Sequence, residues 1–360
     1  MTKLLRYALL VLALLALAVV PAFAQDEELA PLDSDTEPDR IEWWQLESEF
    51  GAVPTFEEPV RVGAVAKTLI NEYWRLLGDG YENAAERFGV DVILQAAQNE
   101  ADQLGQLAIA EAMLTLNFNL LLVSPQSDAN LIPAVEAAEA LGVPVINVND
   151  AVIPTAKNYV GNVQRDNGVR AARWFIENYP DGGKVAVVEG QAGVYAAVQR
   201  TDGFITTITT ESDKFEVVAS VPGNWDRQLS FDAAATIIQQ HPDIIGFYAN
   251  NDGMALGIVE AVKAAGLLEQ ISVIGTDGIS DAYASILAGE LTGTVDSFPV
   301  LTGEVAMEVA LRLLGGQDLP RVVSTPQALI TLANYERYYG EDADTRAALI
   351  EDAEMAMEAE

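Results

Sequence analysis

Apolar and polar positions follow two alternating patterns along residues 59–336, and together these predict sheets covered by helices. Short apolar runs, typical of buried strands, precede longer segments in which apolar residues recur every third or fourth position, typical of amphipathic helices. A strand and its helix span about 30 residues, the length of a βαβ repeat. The predicted strands are 60–66, 90–95, 120–123, 143–148, 184–189, 215–221, 244–248, 271–275, 291–296 and 328–332. The predicted helices are 74–88, 101–116, 130–141, 167–179, 195–210, 228–240, one that begins near Met254, 281–288 and 299–314.

This alternation predicts an α/β fold of two similar, doubly wound, Rossmann-like lobes. Strands that alternate with helices form parallel sheets with helices on both faces. The lobes follow one another without a long linker. The predicted boundaries are 59–161 plus 298–325 for the first lobe, 162–297 plus 326–336 for the second, and 337–360 for an acidic tail that forms a marginal surface helix.

Polar side chains gather where the predicted strands end. In the stretch 244–257 an apolar strand stops at Asn250, Asn251 and Asp252, and a helix follows. Asn and Asp are favoured helix N-caps, so capping alone is one interpretation. The other is a site for a small polar ligand, because ligands bind at the carboxyl ends of strands in open α/β sheets. Further polar residues at strand ends are Lys67, Asn71, Asn149, Asp150 and Asp277.

Aromatic residues lie beside these polar positions. Tyr73 and Trp74 follow Asn71, and Trp225 lies in the loop 222–227. Flat rings cover the C–H faces of a sugar, while Asn, Asp and Arg pair with neighbouring hydroxyls. Each ring alone is also explained by core packing. Together with the strand-end side chains, the rings predict a sugar-binding cleft between the lobes, where ligand sites commonly occur.

Composition narrows the classes of partner. The formal net charge is −34 and the sequence pI is about 4.1, which excludes nucleic acid and anionic membrane surfaces, since both require a basic face. The chain has no cysteine, so disulfides, thiol catalysis and cysteine-ligated metals are excluded. The single histidine, His241, cannot form a multi-histidine metal site, and no calcium-loop spacing occurs. We therefore expect neither a metal nor a cofactor.

The N-terminus predicts export. Lys3 and Arg6 precede an apolar run at 8–20, which is shorter than the roughly 20 residues of a membrane span. Ala22 and Ala24 form an A-x-A cleavage site, so residues 1–24 are predicted to be a secretory signal peptide, with an uncleaved anchor as the alternative. Residues 25–58 are dense in Asp, Glu and Pro and are predicted to be a disordered leader.

Several motifs occur along residues 59–334 in a recognisable order. They are Asn71-Glu72-Tyr73-Trp74, GVPVI at 142–146, RTDGF at 200–204, WDR at 225–227, ANNDGMALG at 249–257 and GTDG at 275–278. In this order they resemble the periplasmic sugar-binding proteins of the ribose-binding type, the substrate-binding components of ABC importers. The resemblance implies a type I periplasmic binding protein fold, with the lobes joined by a hinge of several strands.

The resemblance also implies a set of ligand-binding residues. These are Lys67, Asn71, Tyr73, Trp74, Asn149 and Asp150 in the first lobe, Arg200, Trp225, Asn251 and Asp277 in the second, and Ser297 at a hinge crossing. Ribose binders carry Asp-Arg where this chain has Asn149-Asp150, and they differ at Lys67 and Ser297, so a ligand other than ribose is expected. Lys67 and Arg200 balance Asp150 and Asp277 in charge, which favours a neutral sugar or polyol.

The function implied is capture by an exported, soluble receptor of the periplasm or outer cell surface. A ligand bridges both lobes, stabilises the closed form, and is delivered to an ABC importer permease. We expect a monomer and no enzymatic chemistry. One alternative is a sensing subunit that docks on a chemoreceptor or sensor kinase. Another is a glycosidase with two carboxylates across the cleft. A sugar-responsive transcription factor is excluded, because a signal peptide and an acidic leader stand where a basic DNA-binding domain would be required.

Overall fold

Two β-sheets, each covered by helices, organise the part of the chain that the structure describes. The structure is a computed structural model that describes residues 29–340 and 343–359, with side chains as far as Met355. The unit described below begins at Pro31. The predicted signal peptide lies outside the described residues. Within them, no helix is long and apolar enough to span a membrane.

The first lobe is built on a seven-stranded, fully parallel sheet. Its spatial order is β1-β12-β6-β5-β4-β2-β3. The strands are β1 (Arg40–Glu42), β2 (Arg61–Ala66), β3 (Asp91–Ala96), β4 (Leu120–Val123), β5 (Val145–Val148), β6 (Asn158–Gly161) and β12 (Val322–Ser324).

The second lobe has a six-stranded sheet in the order β13-β11-β10-β9-β7-β8. Only the edge pair β11–β13 is antiparallel. The strands are β7 (Gly183–Glu189), β8 (Phe215–Pro222), β9 (Ile244–Ala249), β10 (Ser272–Asp277), β11 (Gly293–Asp296) and β13 (Ala328–Thr331).

Helices cover both sheets. They are α1 (Leu46–Phe50), α2 (Glu72–Phe88), α3 (Gln103–Met113), α4 (Ile132–Ala140), α5 (Gln164–Asn178), α6 (Tyr195–Thr210), α7 (Arg227–Gln240), α8 (Asp252–Ala265), α9 (Ser280–Leu287), α10 (Pro299–Leu314), α11 (Tyr335–Tyr338) and α12 (Ala343–Ala359). Short 3-10 turns occupy Trp43–Gln45 and Leu114–Leu116. The two-lobed α/β fold expected from the alternation of elements is confirmed.

The chain passes between the lobes at three places. It leaves the first sheet after β6 and enters α5, returns after β11 into α10, which packs along α2, and crosses again between β12 and β13. The predicted strands omit β1, β6 and β12. All three are short, so none gives an apolar run long enough to be recognised from sequence.

The acidic segment before residue 59 is ordered where it is described, so the prediction of a disordered leader is wrong for residues 31–58. Strand β1 pairs in parallel with β12, and Leu32, Ile41 and Leu46 are buried. Trp43 packs against the main core. Composition could not show that this segment is ordered, because its stability comes from the β1–β12 hydrogen bonds and from three buried aliphatic side chains.

The acidic tail forms the predicted helix, α12, and charged side chains hold it to the body. Arg337 pairs with Asp352 at 2.7 Å, and Asp352 also accepts a hydrogen bond from the hydroxyl of Tyr338. Arg346 forms an ion pair with Glu304 on α10. The helix therefore reaches back to the body through ion pairs and through Leu349, which is buried in the main core.

Helices α5 and α6 approach each other closely through a pair of glycines. A Cβ on Gly168 of α5 would lie 2.0 Å from the carbonyl oxygen of Arg200 on α6, and a Cβ on Gly203 would lie 2.2 Å from that of Arg165. Only glycine allows this approach. The contact matters because it sets the position of α6, the helix that carries Arg200.

We expect Gly168→Ala to lower the free energy of unfolding by about 1–3 kcal/mol, because the added methyl overpacks this crossing against backbone atoms. Urea denaturation of the purified protein measures the change. The matched control is Gly253→Ala on α8, where the nearest atom to the new methyl lies at 3.6 Å. Equal stability of the two variants would contradict this account of the crossing.

Candidate functional site

A small cavity lies where the carboxyl ends of the two sheets face each other. Its volume is about 10 Å³, roughly the space that one water molecule needs, so the lobes are closed upon it. Every residue expected in the cleft lines it except Lys67 and Ser297. The lining residues are Asn71, Tyr73, Trp74, Glu100, Asn149, Asp150, Arg200, Trp225, Asn251 and Asp277.

Glu100 organises one wall of the cavity. Its Oε1 accepts hydrogen bonds from Asn71 Nδ2 at 3.2 Å and from Trp74 Nε1 at 3.1 Å. Asn71 also caps α2, since its Oδ1 accepts from the Tyr73 backbone N–H at 3.0 Å. Burial raises the pKa of Glu100. The carboxyl group therefore fixes the orientation of the Trp74 indole and is itself biased towards its neutral form.

Lys67 lies behind the cavity at the end of β2 and is only 1% exposed. Its ammonium donates a hydrogen bond to Asp150 Oδ2. The same Nζ lies 5.5 Å from the ring centroids of both Trp74 and Trp225. A buried cation gains from such faces and from its carboxylate partner. Lys67 therefore holds Asp150 and two rings from opposite lobes in one arrangement.

Asn149 and Asp150 follow β5 in left-handed backbone conformations, with φ of 52° and 63°. Non-glycine residues in this region are strained, and such strain clusters at functional sites. Asn149 Nδ2 donates to the Tyr73 hydroxyl, and Asn149 Oδ1 accepts from Gln164 Nε2 at 3.0 Å. Burial raises the pKa of Tyr73, which keeps its hydroxyl protonated. The strained turn thus aims two polar side chains at the cavity.

Arg200 carries the second lobe's positive charge into the cavity. Its Nε donates to Gln164 Oε1 at 2.9 Å and its Nη1 to the Asn250 carbonyl at 2.6 Å. The guanidinium also lies 3.5 Å from Asp277 Oδ1 and 3.9 Å from Asp150 Oδ1. Burial opposes the charged form, but Asp150 and Asp277 outweigh it and raise the pKa of Arg200. The side chain is a fixed cation between carboxylates of both lobes.

The cluster after β9 divides its tasks between capping and the cavity. Asn251 Oδ1 caps α8 by accepting from Met254 N–H at 2.9 Å, and Asn251 also lines the cavity. Asn250 Oδ1 accepts from Gly190 N–H at 2.9 Å, next to the Trp225 ring. Asn251 therefore both caps α8 and lines the cavity, whereas Asn250 holds the loop that contains Gly190.

Asp277 is held in place by groups that do not reach the cavity. Asp252 Oδ2 accepts from the backbone N–H groups of Gly278 at 2.8 Å and Ile279 at 3.1 Å, which fixes the loop after β10. Ser297 Oγ donates to the Asp277 carbonyl at 3.4 Å. Ser297 is buried at the hinge crossing and lies behind the cavity wall. Burial raises the pKa of Asp277 well above its ordinary value.

This arrangement presents polar groups of both lobes to the cavity. Carboxyl, amide and guanidinium groups from both lobes surround a space flanked by the indoles of Trp74 and Trp225. Among the described residues, no group of three His, Asp or Glu side chains is placed to hold a metal ion. The sequence profile of the periplasmic binding protein domain matches residues 62–318.

The chain belongs to the periplasmic binding protein family.

Relatives of this periplasmic binding protein include sugar receptors. It is 33% identical over 254 residues to the D-allose-binding periplasmic protein of Escherichia coli, covering 68% of this chain and 81% of that protein. It is 33% identical over 271 residues to the ribose import binding protein RbsB of Bacillus subtilis, covering 75% of this chain and 87% of that protein.

Solved structures of the same kind superimpose on the chain. One is an ABC transporter periplasmic solute binding protein from Actinobacillus succinogenes with bound D-allose; the TM-score is 0.74 at 30% identity, covering 78% of this chain and all of that chain. Another is an ABC transporter solute binding protein from Bacillus halodurans with bound myo-inositol; the TM-score is 0.73 at 25% identity, covering 80% of this chain and all of that chain.

Sequence reasoning missed one residue that lines this periplasmic binding protein's cavity, Glu100, and one that supports its walls, Gln164. Glu100 lies four positions after the last residue of β3, so the same strand-end rule that found Asn71 and Asn149 would have found it. Gln164 joins Asn149 to Arg200 at a hinge crossing, and no local pattern distinguishes it. Charge balance based on Lys67, Arg200, Asp150 and Asp277 therefore omitted a third carboxyl group.

Asp252 should make the stability of the protein pH-dependent. Burial raises its pKa to about 7, above the ordinary value of 3.8, so the folded state binds more protons than the unfolded state between those values. The contribution of Asp252 to the free energy of unfolding is therefore fully present below pH 3.8 and is lost as the pH rises through about 7.

We expect Asp252→Asn to remove this contribution, so that stability falls less between pH 4 and pH 7 than in the wild type. Urea denaturation at several pH values measures the slope. The control is Asp243→Asn, an exposed partner of Lys184. An unchanged slope in Asp252→Asn would contradict a raised pKa at this position.

Proposed function

We propose that the protein captures a small neutral sugar or cyclic polyol between its lobes and delivers it to an ABC-type importer. The observation that carries this proposal is the cavity itself. Strand-end polar side chains of both lobes converge there between Trp74 and Trp225. Indole faces cover the C–H surface of a sugar ring, and carboxyl, amide and guanidinium groups pair with its hydroxyls.

The charges of the cavity favour a ligand without net charge. Lys67 and Arg200 face Asp150, Asp277 and Glu100, and burial raises the pKa of both Glu100 and Asp277. Burial disfavours the charged forms of these two acids, so the sum of two cations and three carboxyl groups stays within one unit of charge of neutrality. A neutral carboxyl group both donates and accepts a hydrogen bond, as a sugar hydroxyl requires.

D-Allose is the first candidate ligand. Relatives named for D-allose and for ribose are equally similar to this chain, but Lys67 and Asn149-Asp150 replace the residues of ribose binders. The similar structure from Actinobacillus succinogenes holds D-allose. We infer that the Lys67–Asp150 pair and Glu100 select a hexose over ribose.

Capture requires motion of the lobes and no chemistry. The lobes are closed on the cavity in this structure, so the ligand enters when the lobes are open and stabilises a closed form that encloses it. We infer that the mature protein is an exported, periplasmic monomer that presents its closed surface to a membrane permease. Transport is favoured over sensing because relatives include proteins named for import.

Binding should be specific and should depend on both lobes. Calorimetric titration with D-allose, D-ribose, myo-inositol, D-glucose and a sugar phosphate tests this, with a thermal shift as a second readout. A sugar at 100 times its Kd adds about 2.7 kcal/mol to the free energy of unfolding. We expect D-allose to bind most tightly and the sugar phosphate not to bind.

Asp277→Asn and Trp225→Ala should each weaken binding by roughly 10- to 100-fold, the effect of losing about 1.4–2.8 kcal/mol of contact energy. The control is Asp243→Asn, because Asp243 is an exposed partner of Lys184 and does not line the cavity. Binding of the phosphate alone, or equal binding by both cavity variants and the control, would overturn the proposal.

A further inference from the structure

A segment that precedes the family domain contacts both lobes. We call residues 31–42 the strap; the domain match begins at residue 62. On the first lobe, Leu32 N–H donates to the Pro154 carbonyl at 2.8 Å, and β1 at the end of the strap pairs with β12. Arg321 pairs with Glu37 at 3.1 Å. These contacts anchor the strap to the first lobe.

The strap reaches the second lobe through two aspartates. The carboxylate of Asp35 accepts from the backbone N–H groups of Gln164 at 2.9 Å and Arg165 at 2.7 Å, at the start of α5. The Tyr195 hydroxyl, at the start of α6, donates to Asp33 Oδ1 and accepts from the Asp35 backbone N–H at 3.1 Å. Tyr195 is thus tied to the strap by both hydrogen bonds that its hydroxyl offers.

Tyr195 stands where the closed lobes meet. Its own backbone N–H lies 3.3 Å from Asp128 Oδ1 of the first lobe, and the next N–H, of Ala196, donates to the Asp150 carbonyl at 3.1 Å. Separation of the lobes moves this end of α6 away from the strap's anchors. The Tyr195–strap bonds therefore belong to the closed form.

The strap also connects to the cavity. The backbone N–H of Gln164 donates a hydrogen bond to Asp35. The side chain of Gln164 forms hydrogen bonds with Asn149 of the first lobe and Arg200 of the second. Arg200 lies on the same helix as Tyr195. The strap thus contacts α5 and α6, the two helices that carry Gln164 and Arg200 to the cavity.

We propose that the strap is a latch that stabilises the closed form and raises the affinity of the cleft for its ligand. The argument on affinity rests on the proposed function. A ligand that binds the closed form has an apparent Kd inversely proportional to the closed population, so any contact made only in that form tightens binding. The proposal assigns a role to residues outside the domain that the family shares.

Tyr195→Phe removes the hydroxyl and keeps the ring. With D-allose as the probe, we expect the Kd to rise about 10-fold, equivalent to about 1.4 kcal/mol, mostly through faster dissociation. The matched control is Tyr179→Phe, whose hydroxyl bonds Ser272 at 2.8 Å entirely within the second lobe. A Kd equal to that of the control would overturn the proposal, because a general loss of stability would affect both variants alike.

A second measurement needs no ligand. The chain has no cysteine, so Leu104→Cys and Leu229→Cys, at exposed positions on α3 and α7, accept spin labels without competing sites. In the sugar-free protein, Tyr195→Phe should shift the distribution of distances between the labels to longer values, and Tyr179→Phe should not. An unchanged distribution would overturn the latch. Failure of the wild type to bind any sugar would instead overturn the proposed function, and the label distances would still decide on the strap.

Discussion

The closed cleft brings opposite charges of the two lobes together, Asp150 of the first and Arg200 of the second. The guanidinium lies 3.9 Å from one oxygen of Asp150, whose other oxygen accepts from Lys67, and 3.5 Å from Asp277. Opposite charges held by opposite lobes meet only when the lobes close, and their attraction grows as water leaves. Because burial of ions is costly, the arrangement holds together only while each charge keeps its partners.

Much of the site could be predicted because the rules that place it are local. Asn71, Asn149 and Asn251 follow parallel strands and Asp277 ends one, and the carboxyl ends of such strands meet at one edge. The resemblance to sugar-binding proteins added Arg200 and Ser297, which no periodicity singles out. The exclusion of Lys67 and Ser297 from the cavity surface was not predictable, since it depends on how deeply each side chain lies.

The remaining differences arise from contacts that are distant in sequence. Strands β1 and β12 are three residues long and are stabilised by each other, although about 280 residues separate them. Likewise the acidic residues Asp33 and Asp35 have the composition of a disordered leader, and only their partners on α5 and α6 give them a fixed place. The composition of a segment does not show which distant residues form hydrogen bonds with its polar groups.

The most direct test of the account is a crystal structure of the protein with D-allose. One sugar ring should lie between Trp74 and Trp225, with its hydroxyls within hydrogen-bond distance of side chains from both lobes, Asp150 and Asp277 among them. A sugar that contacts one lobe alone, or that lies away from these two indoles, would contradict capture between the lobes.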